Sequence, residues 1–126
     1  MENTITYFTP QEASKTLPLV KKIVADILKE GKDMRALAAV IDGALEENDE
    51  IKIRIARLQT YVDELAEIGC FYKDWNFEYG LVDFPSVING EEVMLCWRSD
   101  EDDILWYHGE EHGFAGRKLI PVEYFF

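Results

Sequence analysis

The stretch that decides the fold is Gly80-Leu-Val-Asp-Phe-Pro-Ser-Val-Ile-Asn-Gly-Glu-Glu-Val-Met-Leu-Cys-Trp-Arg98. At its centre, Asn89-Gly90 is the strongest short signal for a two-residue β-hairpin turn, because both turn residues must adopt positive φ. The runs on either side, 80–88 and 91–98, are rich in β-branched, aromatic and other apolar residues. The stretch therefore predicts two antiparallel strands joined by a tight turn.

A two-residue turn fixes the register of its strands, so the facing pairs follow from the sequence. With Ile88 opposite Glu91, one face of the hairpin is wholly apolar, and we expect it to pack on helices. This face carries Val82, Phe84, Val93, Leu95 and Trp97. The other face pairs Asp83 with Cys96 and Leu81 with Arg98, which places Asp83 diagonal to Arg98, within reach of a salt bridge.

A third strand is predicted over 104–109, after the acidic loop 99–103. Placing Leu105 and Tyr107 on the apolar face sets Trp106 beside Cys96 and His108 beside Met94. The tail 109–117 has three glycines and no periodicity, which predicts an ordered loop, and 121–126 is predicted to be a last extended piece. The six candidate ligand-binding residues, on the second face and in the Gly113-Phe-Ala-Gly-Arg117 loop, are Asp83, Cys96, Arg98, Trp106, His108 and Arg117.

The first half of the chain has helical periodicity. Thr9-Pro10-Gln11-Glu12 is a capping box that predicts a helix start, with Pro10 at the first helical position. Pro18 should kink this helix or mark a short first segment. One apolar stripe is Leu17, Val20, Val24, Ile27, Met34, Ala38, Ile41 and Leu45; a second is Ile51, Ile55, Leu58, Val62 and Leu65, with Gly69 as its stop. We expect an antiparallel helical hairpin that turns between Asp42 and Asp49.

The composition bounds the class of protein. The 126 residues are 48% hydrophobic and carry 13 basic against 25 acidic side chains, a net charge of −12, which describes one folded domain and disfavours nucleic-acid binding. The longest apolar run, 36–41, is far shorter than the roughly 20 residues of a membrane span. The start carries no export signal and there are only two cysteines, which favours a reduced, cytoplasmic protein.

We therefore predict a single α+β domain over 1–126. A long antiparallel helical hairpin, 1–69, packs on a small three-stranded antiparallel sheet, a β-meander within 70–126 that is followed by the loop ending at Arg117. One small sheet cannot cover the whole apolar stripe, so we also expect a homodimer through the helices.

Several kinds of chemistry fit the candidate residues. Asp83, Cys96 and His108 are acceptable Zn²⁺ ligand types. A second pattern is His108-Gly-Glu-Glu-His112, in which two imidazoles are four residues apart. Gly109 and Gly113 disfavour the helix that would direct both of these imidazoles at one ion. We therefore assign no metal ligand and no cofactor. Cys96 is a small buried hydrophobe or, with His108 beside it, a nucleophile.

The loop residues leave similar alternatives. Arg117 binds an anion or pairs internally with Asp83 or Glu101, and the excess of acidic residues favours the internal pair. The acidic loop 100–103 lacks EF-hand spacing and is better interpreted as a solvated turn than as a Ca²⁺ site.

The chain also resembles a known family. The stretches that carry the resemblance are 7–13 with Leu17-Pro18, GLVDFP at 80–85, LCWR at 95–98 and WYHGEEHGFAGR at 106–117. They are similar to a bacterial family of uncharacterised proteins, the domain-of-unknown-function family DUF2203. The resemblance implies a helical hairpin joined to a small sheet and implies no established activity. Its signature residues would be Gly80, Asp83, Phe84, Pro85, Cys96, Trp97, Trp106, His108, Gly113, Phe114, Gly116 and Arg117.

Two functions from different classes follow. The first is a binding or interaction module that holds a small anionic ligand or a partner's peptide on the second face and the Arg117 loop. The second is a small hydrolase or transferase, metal-dependent in one version, that uses Asp83, Cys96, His108 and Arg117. An enzyme needs His108 or Cys96 open to solvent, whereas sealed, internally bonded side chains indicate a structural network.

Overall fold

The first helix begins where the capping box predicts. In the computed structural model, which describes residues 4–126, helix α1 spans Pro10–Ala38. The Thr9 hydroxyl accepts a hydrogen bond from the Glu12 amide at 3.1 Å, and the Glu12 carboxylate accepts one from the Thr9 amide at 2.9 Å. The helix continues past Pro18, so this proline does not end a short first segment.

The second helix, α2, spans Asp49–Ile68 and starts at Asn48, whose side chain accepts from the Ile51 amide. It ends at Gly69, which has the left-handed conformation (φ 113°) that the predicted stop requires. Glu30 of α1 forms ion pairs with Arg54 and Arg57 of α2 across the helix pair.

The apolar stripe predicted for the helix pair is longer than the part that the structure buries. Because α1 ends at Ala38, Ile41 and Leu45 belong to the connection, and Leu45 begins a short 3₁₀ turn, Leu45–Glu47. Ile55, expected in the second stripe, is 52% exposed. Ile55 borders an open cavity together with Met34 and Ala38 of α1 instead of packing in the core, so periodicity alone overestimated the buried stripe.

The sheet has five antiparallel strands instead of the predicted three, in the order β1-β2-β3-β4-β5. The strands are β1 (Phe71–Tyr72), β2 (Leu81–Ile88), β3 (Glu91–Arg98), β4 (Trp106–Gly109) and β5 (Lys118–Leu119). The two edge strands have two residues each, which is too short for an alternating pattern to show in the sequence. The architecture is α+β, as predicted.

The hairpin register is confirmed along its whole length. Ile88 pairs with Glu91, Asp83 with Cys96 and Leu81 with Arg98. In the next strand, Trp106 pairs with Cys96 and His108 with Met94, also as predicted.

The apolar face of the sheet forms one core with the helices. The face residues Val82, Phe84, Val93, Leu95 and Trp97 are all buried and belong to the same cluster as Leu17, Val20, Val24 and Ile27 of α1. The only polar side chain buried on this face, Ser86, donates its hydroxyl to the Phe8 carbonyl. The helices therefore cover the first face only.

Three predictions near the C-terminus need correction. Strand β4 starts at Trp106 instead of residue 104, and Leu105 is 46% exposed although it was expected on the apolar face. The last piece is not extended, because Val122–Phe125 forms a 3₁₀ turn after Pro121. The Tyr124 hydroxyl accepts a hydrogen bond from the Asn89 amide at 2.8 Å, so this turn rests on the hairpin bend.

No helix within residues 4–126 combines the length and the apolar character that a membrane span requires.

At Gly31, α1 passes close to the loop before β2. A Cβ at this position would lie 2.2 Å from the Phe77 ring, which is itself buried. No atom pair tolerates that distance, so the helix can pass Phe77 only where it lacks a side chain.

We predict that Gly31→Ala lowers the free energy of unfolding by about 1–3 kcal/mol, because overpacking outweighs the roughly 1 kcal/mol that Ala gains in helix propensity. Urea denaturation measures the change. The control Lys32→Ala, at an exposed position of the same turn, should stay within about 0.5 kcal/mol of the wild type. A Gly31→Ala protein that is more stable than the wild type would contradict the packing described here.

Candidate functional site

Three of the six candidate residues meet at the centre of the second face. Asp83 on β2, Cys96 on β3 and His108 on β4 share this face because side chains alternate along each strand. One ligand-type atom of each, a carboxylate oxygen, the thiol sulfur and an imidazole nitrogen, lies within 4.8 Å of the other two. All three side chains are buried, with exposures of 6% for Asp83, 1% for Cys96 and 4% for His108.

Both ring nitrogens of His108 face an oxygen. Nδ1 lies 2.7 Å from the Gly109 carbonyl, and Nε2 lies 3.1 Å from Asp83 Oδ1. A carbonyl oxygen only accepts, so Nδ1 carries a proton that it donates to this carbonyl. Nε2 faces a carboxylate, so a second proton or another positive centre must lie between the two.

The Cys96 thiol is held in its neutral form. Burial raises its pKa to about 12, and the neighbouring Asp83 carboxylate adds to this rise. The Arg117 guanidinium acts in the opposite direction but does not compensate. Cys96 therefore lacks the thiolate that nucleophilic catalysis requires at neutral pH.

The other three candidates form a separate layer beside this cluster. Arg98 binds the Asp100 carboxylate through two nitrogens, and Arg117 binds Glu101 through two hydrogen bonds of 2.9 Å. The Arg117 guanidinium also stacks on the Trp106 ring, with 4.8 Å to the centroid. The internal pairing of Arg117 with Glu101 is thus confirmed.

Asp83 lies diagonal to Arg98 in the strand register, as predicted, but the two side chains do not form a salt bridge. Asp83 is engaged by His108, and Arg98 turns instead to Asp100, two residues along the chain. Arg98 loses less side-chain entropy by pairing with a carboxylate in the adjoining loop than by pairing with one that is buried among other side chains. Asp100 is therefore its partner.

The Arg117 loop covers part of the second face and leaves a pocket of about 200 Å³ over the cluster. Phe114 provides one wall, and the Arg117 guanidinium stacks on the outer side of its ring at 4.1 Å. The lining residues are Lys73, Leu81, Asp83, Cys96, His108, Glu110, Gly113 and Phe114. The three buried side chains thus form the base of this pocket.

Sequence reasoning missed Lys73 and Glu110 in this lining. Lys73 follows the two-residue strand β1, which has no periodic signal, and Glu110 lies in a turn whose geometry depends on the loop. Phe114 was visible only as a signature residue of the resembling family.

His112 does not join the cluster. It packs beside Gly109 and Gly116, and the residues described, 4–126, hold one metal-type group, Asp83 with Cys96 and His108. In the acidic loop, Asp100 and Glu101 are paired with arginines, and Asp102 and Asp103 are exposed.

A larger cavity of about 310 Å³ lies between α1 and 99–102, and its lining includes Lys21 and Trp97. Its acidic lining residues, Asp100, Glu101 and Asp102, do not form a metal-type group within residues 4–126. Lys21 donates to the Asp102 backbone carbonyl and Trp97 to that of Glu101. The smaller pocket on the second face is therefore the candidate site.

We predict that native protein is not alkylated by iodoacetamide at pH 8. Burial raises the pKa of both thiols, Cys70 and Cys96, to about 12, so only about one thiol in 10,000 is ionised at this pH. Intact mass spectrometry measures the number of labels, and protein unfolded in guanidinium should take two. One label acquired by the native protein at the unfolded rate would contradict the sealed position of that thiol.

Comparison with known proteins identifies the family of the chain. No curated protein and no solved structure matches the chain. The model of one family, described as Uncharacterized conserved protein (DUF2203), matches residues 6–120. This match covers both helices, the whole sheet and every residue of the candidate site. The chain therefore belongs to the uncharacterized conserved protein family DUF2203.

Proposed function

We propose that the protein is a binding module whose pocket on the second face of the sheet holds a small anionic ligand. The observation that carries this proposal is the placement of three buried polar side chains, Asp83, Cys96 and His108, at the base of a pocket on the face that the helices leave uncovered. Polar groups buried together with space above them are typical of binding sites.

The size of the pocket favours a compact ligand. Sites for drug-sized molecules measure about 300–1,000 Å³, whereas this pocket measures about 200 Å³. An ion or a molecule of few heavy atoms fits that volume, and a bound peptide would need a longer groove. We therefore favour the small ligand over the peptide partner.

The charged side chains that line the pocket are one lysine, Lys73, and two carboxylates, Asp83 and Glu110. Arg98 and Arg117 are already neutralised by Asp100 and Glu101. Lys73 lines the pocket and forms no ion pair with any carboxylate in the part of the chain that the structure describes. We therefore assign the contact with the ligand's negative charge to Lys73.

A hydrolase or transferase that uses these side chains directly is the less favoured hypothesis. Such an enzyme needs an ionised nucleophile or a base with a free lone pair. Burial keeps the pKa of Cys96 at about 12, and both ring nitrogens of His108 already face oxygens. These contacts support a binding role over direct nucleophilic or acid–base catalysis.

We predict that inorganic phosphate or acetate shifts the backbone amide resonances of Lys73, Gly113 and Phe114 in a saturable ¹H–¹⁵N NMR titration. Lys73→Ala should weaken the apparent affinity about two- to fivefold, because an exposed ion pair contributes up to about 1 kcal/mol. The matched control is Lys118→Ala, an exposed lysine opposite Tyr107 on the other face of the sheet, which should leave the affinity unchanged.

Titration curves that do not differ between Lys73→Ala and Lys118→Ala would remove Lys73 as the contact. If neither phosphate nor acetate at tens of millimolar shifts these amide resonances, whether or not a divalent cation is added, the pocket does not bind small anions.

We also propose that the protein is cytoplasmic.

We propose in addition that two copies of the chain associate through their helices. An apolar cavity of about 310 Å³ lies at the end of the helix pair, with Met34, Ala38, Leu45, Ile51 and Ile55 in its lining. Covering this cavity removes apolar surface from water, which favours association of two helix pairs.

Sedimentation equilibrium at micromolar concentration should therefore give twice the 14.6 kDa mass of one chain. Ile55→Asp should shift the protein to monomers, because it introduces a charge into the apolar surface. Ile5→Asp, at an exposed position remote from this cavity, is the control. A monomeric wild type would contradict the dimer.

A further inference from the structure

We propose that the base of the pocket is a site for a zinc-type divalent cation, with Asp83, Cys96 and His108 as its three protein ligands and the fourth position open to the pocket. The inference rests on the proposed function, since the cation occupies the same pocket and would supply the charge that an anionic ligand needs. Three separate observations support it: the geometry of the three side chains, the orientation of His108 and the charge balance.

The geometry of the three side chains suits one ion. Around a tetrahedral Zn²⁺ centre, neighbouring N, O and S ligand atoms are separated by about 3.3–3.8 Å. Here the three ligand-type atoms lie within 4.8 Å of one another, and His108 Nε2 is 3.1 Å from Asp83 Oδ1. A contraction of about 1 Å by side-chain rotation would bring all three to one cation.

The orientation of His108 is that of a metal ligand. Histidines that bind metals commonly donate their other ring N–H to a backbone carbonyl or a carboxylate, which fixes the tautomer. His108 Nδ1 faces the Gly109 carbonyl at 2.7 Å, and Nε2 is thereby turned toward Asp83, whose Oδ1 lies 3.1 Å away. A cation between Nε2 and the carboxylate resolves the contact between two acceptors without an added proton.

The charge balance also fits a divalent ion. On binding, the Cys96 thiol gives its proton to solvent and forms a sulfur–metal bond, while Asp83 and neutral His108 donate lone pairs. One thiolate and one carboxylate then cancel the two positive charges. A neutral site is what a buried position tolerates, since isolated charges are costly there.

The ligand types select the class of ion. Mg²⁺ and Ca²⁺ prefer six or more oxygen ligands, whereas one sulfur, one nitrogen and one oxygen suit Zn²⁺ and the related Co²⁺. Three protein ligands with a fourth, exchangeable position are typical of zinc sites that bind a water molecule or an anion. Lys73 and Phe114 line the space that this fourth ligand would occupy.

The test adds CoCl₂ or ZnCl₂ to reduced protein purified without an affinity tag. We expect one ion per chain, a thiolate-to-cobalt charge-transfer band in the near ultraviolet, and intense visible bands of four-coordinate cobalt. Zinc at a hundredfold excess over its Kd should raise the Tm by about 10 °C, since the ion binds only the folded chain.

Matched variants assign the ligands. Cys96→Ser should abolish the charge-transfer band, whereas Cys70→Ser, at the other buried thiol, should retain it. Asp83→Asn and His108→Gln should each weaken zinc binding by more than the roughly 10–100-fold that loss of an outer-shell partner costs. Circular dichroism of each variant identifies any that do not fold, and the wild-type measurements stand without them.

The inference is overturned if the wild type gives neither the cobalt bands nor the rise in Tm, or if the band is lost in Cys70→Ser and kept in Cys96→Ser. Repeating the phosphate titration with and without zinc separates the two proposals. Amide shifts caused by phosphate without any effect of zinc or cobalt would remove the cation site and leave the binding module intact.

Discussion

The placement of Asp83 opposite Cys96 at the base of the candidate site depends on the two-residue bend at Asn89-Gly90. Both residues have positive φ, 53° and 79°, and this geometry fixes which residue of β2 faces which residue of β3. A slip of one residue would move Cys96 to the helices and Trp97 to the loop side. The bend is also held from outside, because the Tyr124 hydroxyl accepts from the Asn89 amide. One local conformation thus separates the apolar core from the polar cluster.

Features encoded by short spacings were predictable from the sequence. The capping box at Thr9, the stop at Gly69 and the strand register each depend on residues a few positions apart, and all are present. Features that depend on tertiary contacts were not predictable. The edge strands β1 and β5 exist because β2 and β4 offer them unpaired backbone groups, and Lys73 reaches the pocket only through β1. Similarly, the partner of Arg98 was decided by competition between Asp100 and Asp83, which strand register alone does not describe.

The polar cluster is not explained by stability. Burying a carboxylate and an imidazole costs desolvation that their attraction repays only in part, and apolar residues of similar size often stabilise a protein more. Asp83 and His108 nevertheless lie buried beside a thiol, in a sheet whose opposite face already provides the core. A role in specifying the strand register is not needed, because the turn provides it. This cost is the reason why we propose recognition of an ion or a small ligand for this arrangement.

The two faces of the sheet differ in what holds their covering elements in place. The helices are held by a continuous apolar core, whereas the loop over the second face has three glycines and a partly exposed Phe114. Arg117 anchors this loop by stacking on Trp106 and Phe114 and binding Glu101 through two hydrogen bonds. Because Arg117 and Glu101 are mostly buried, salt screens their attraction only weakly. The contacts that hold this loop therefore differ in kind from the apolar core that holds the helices.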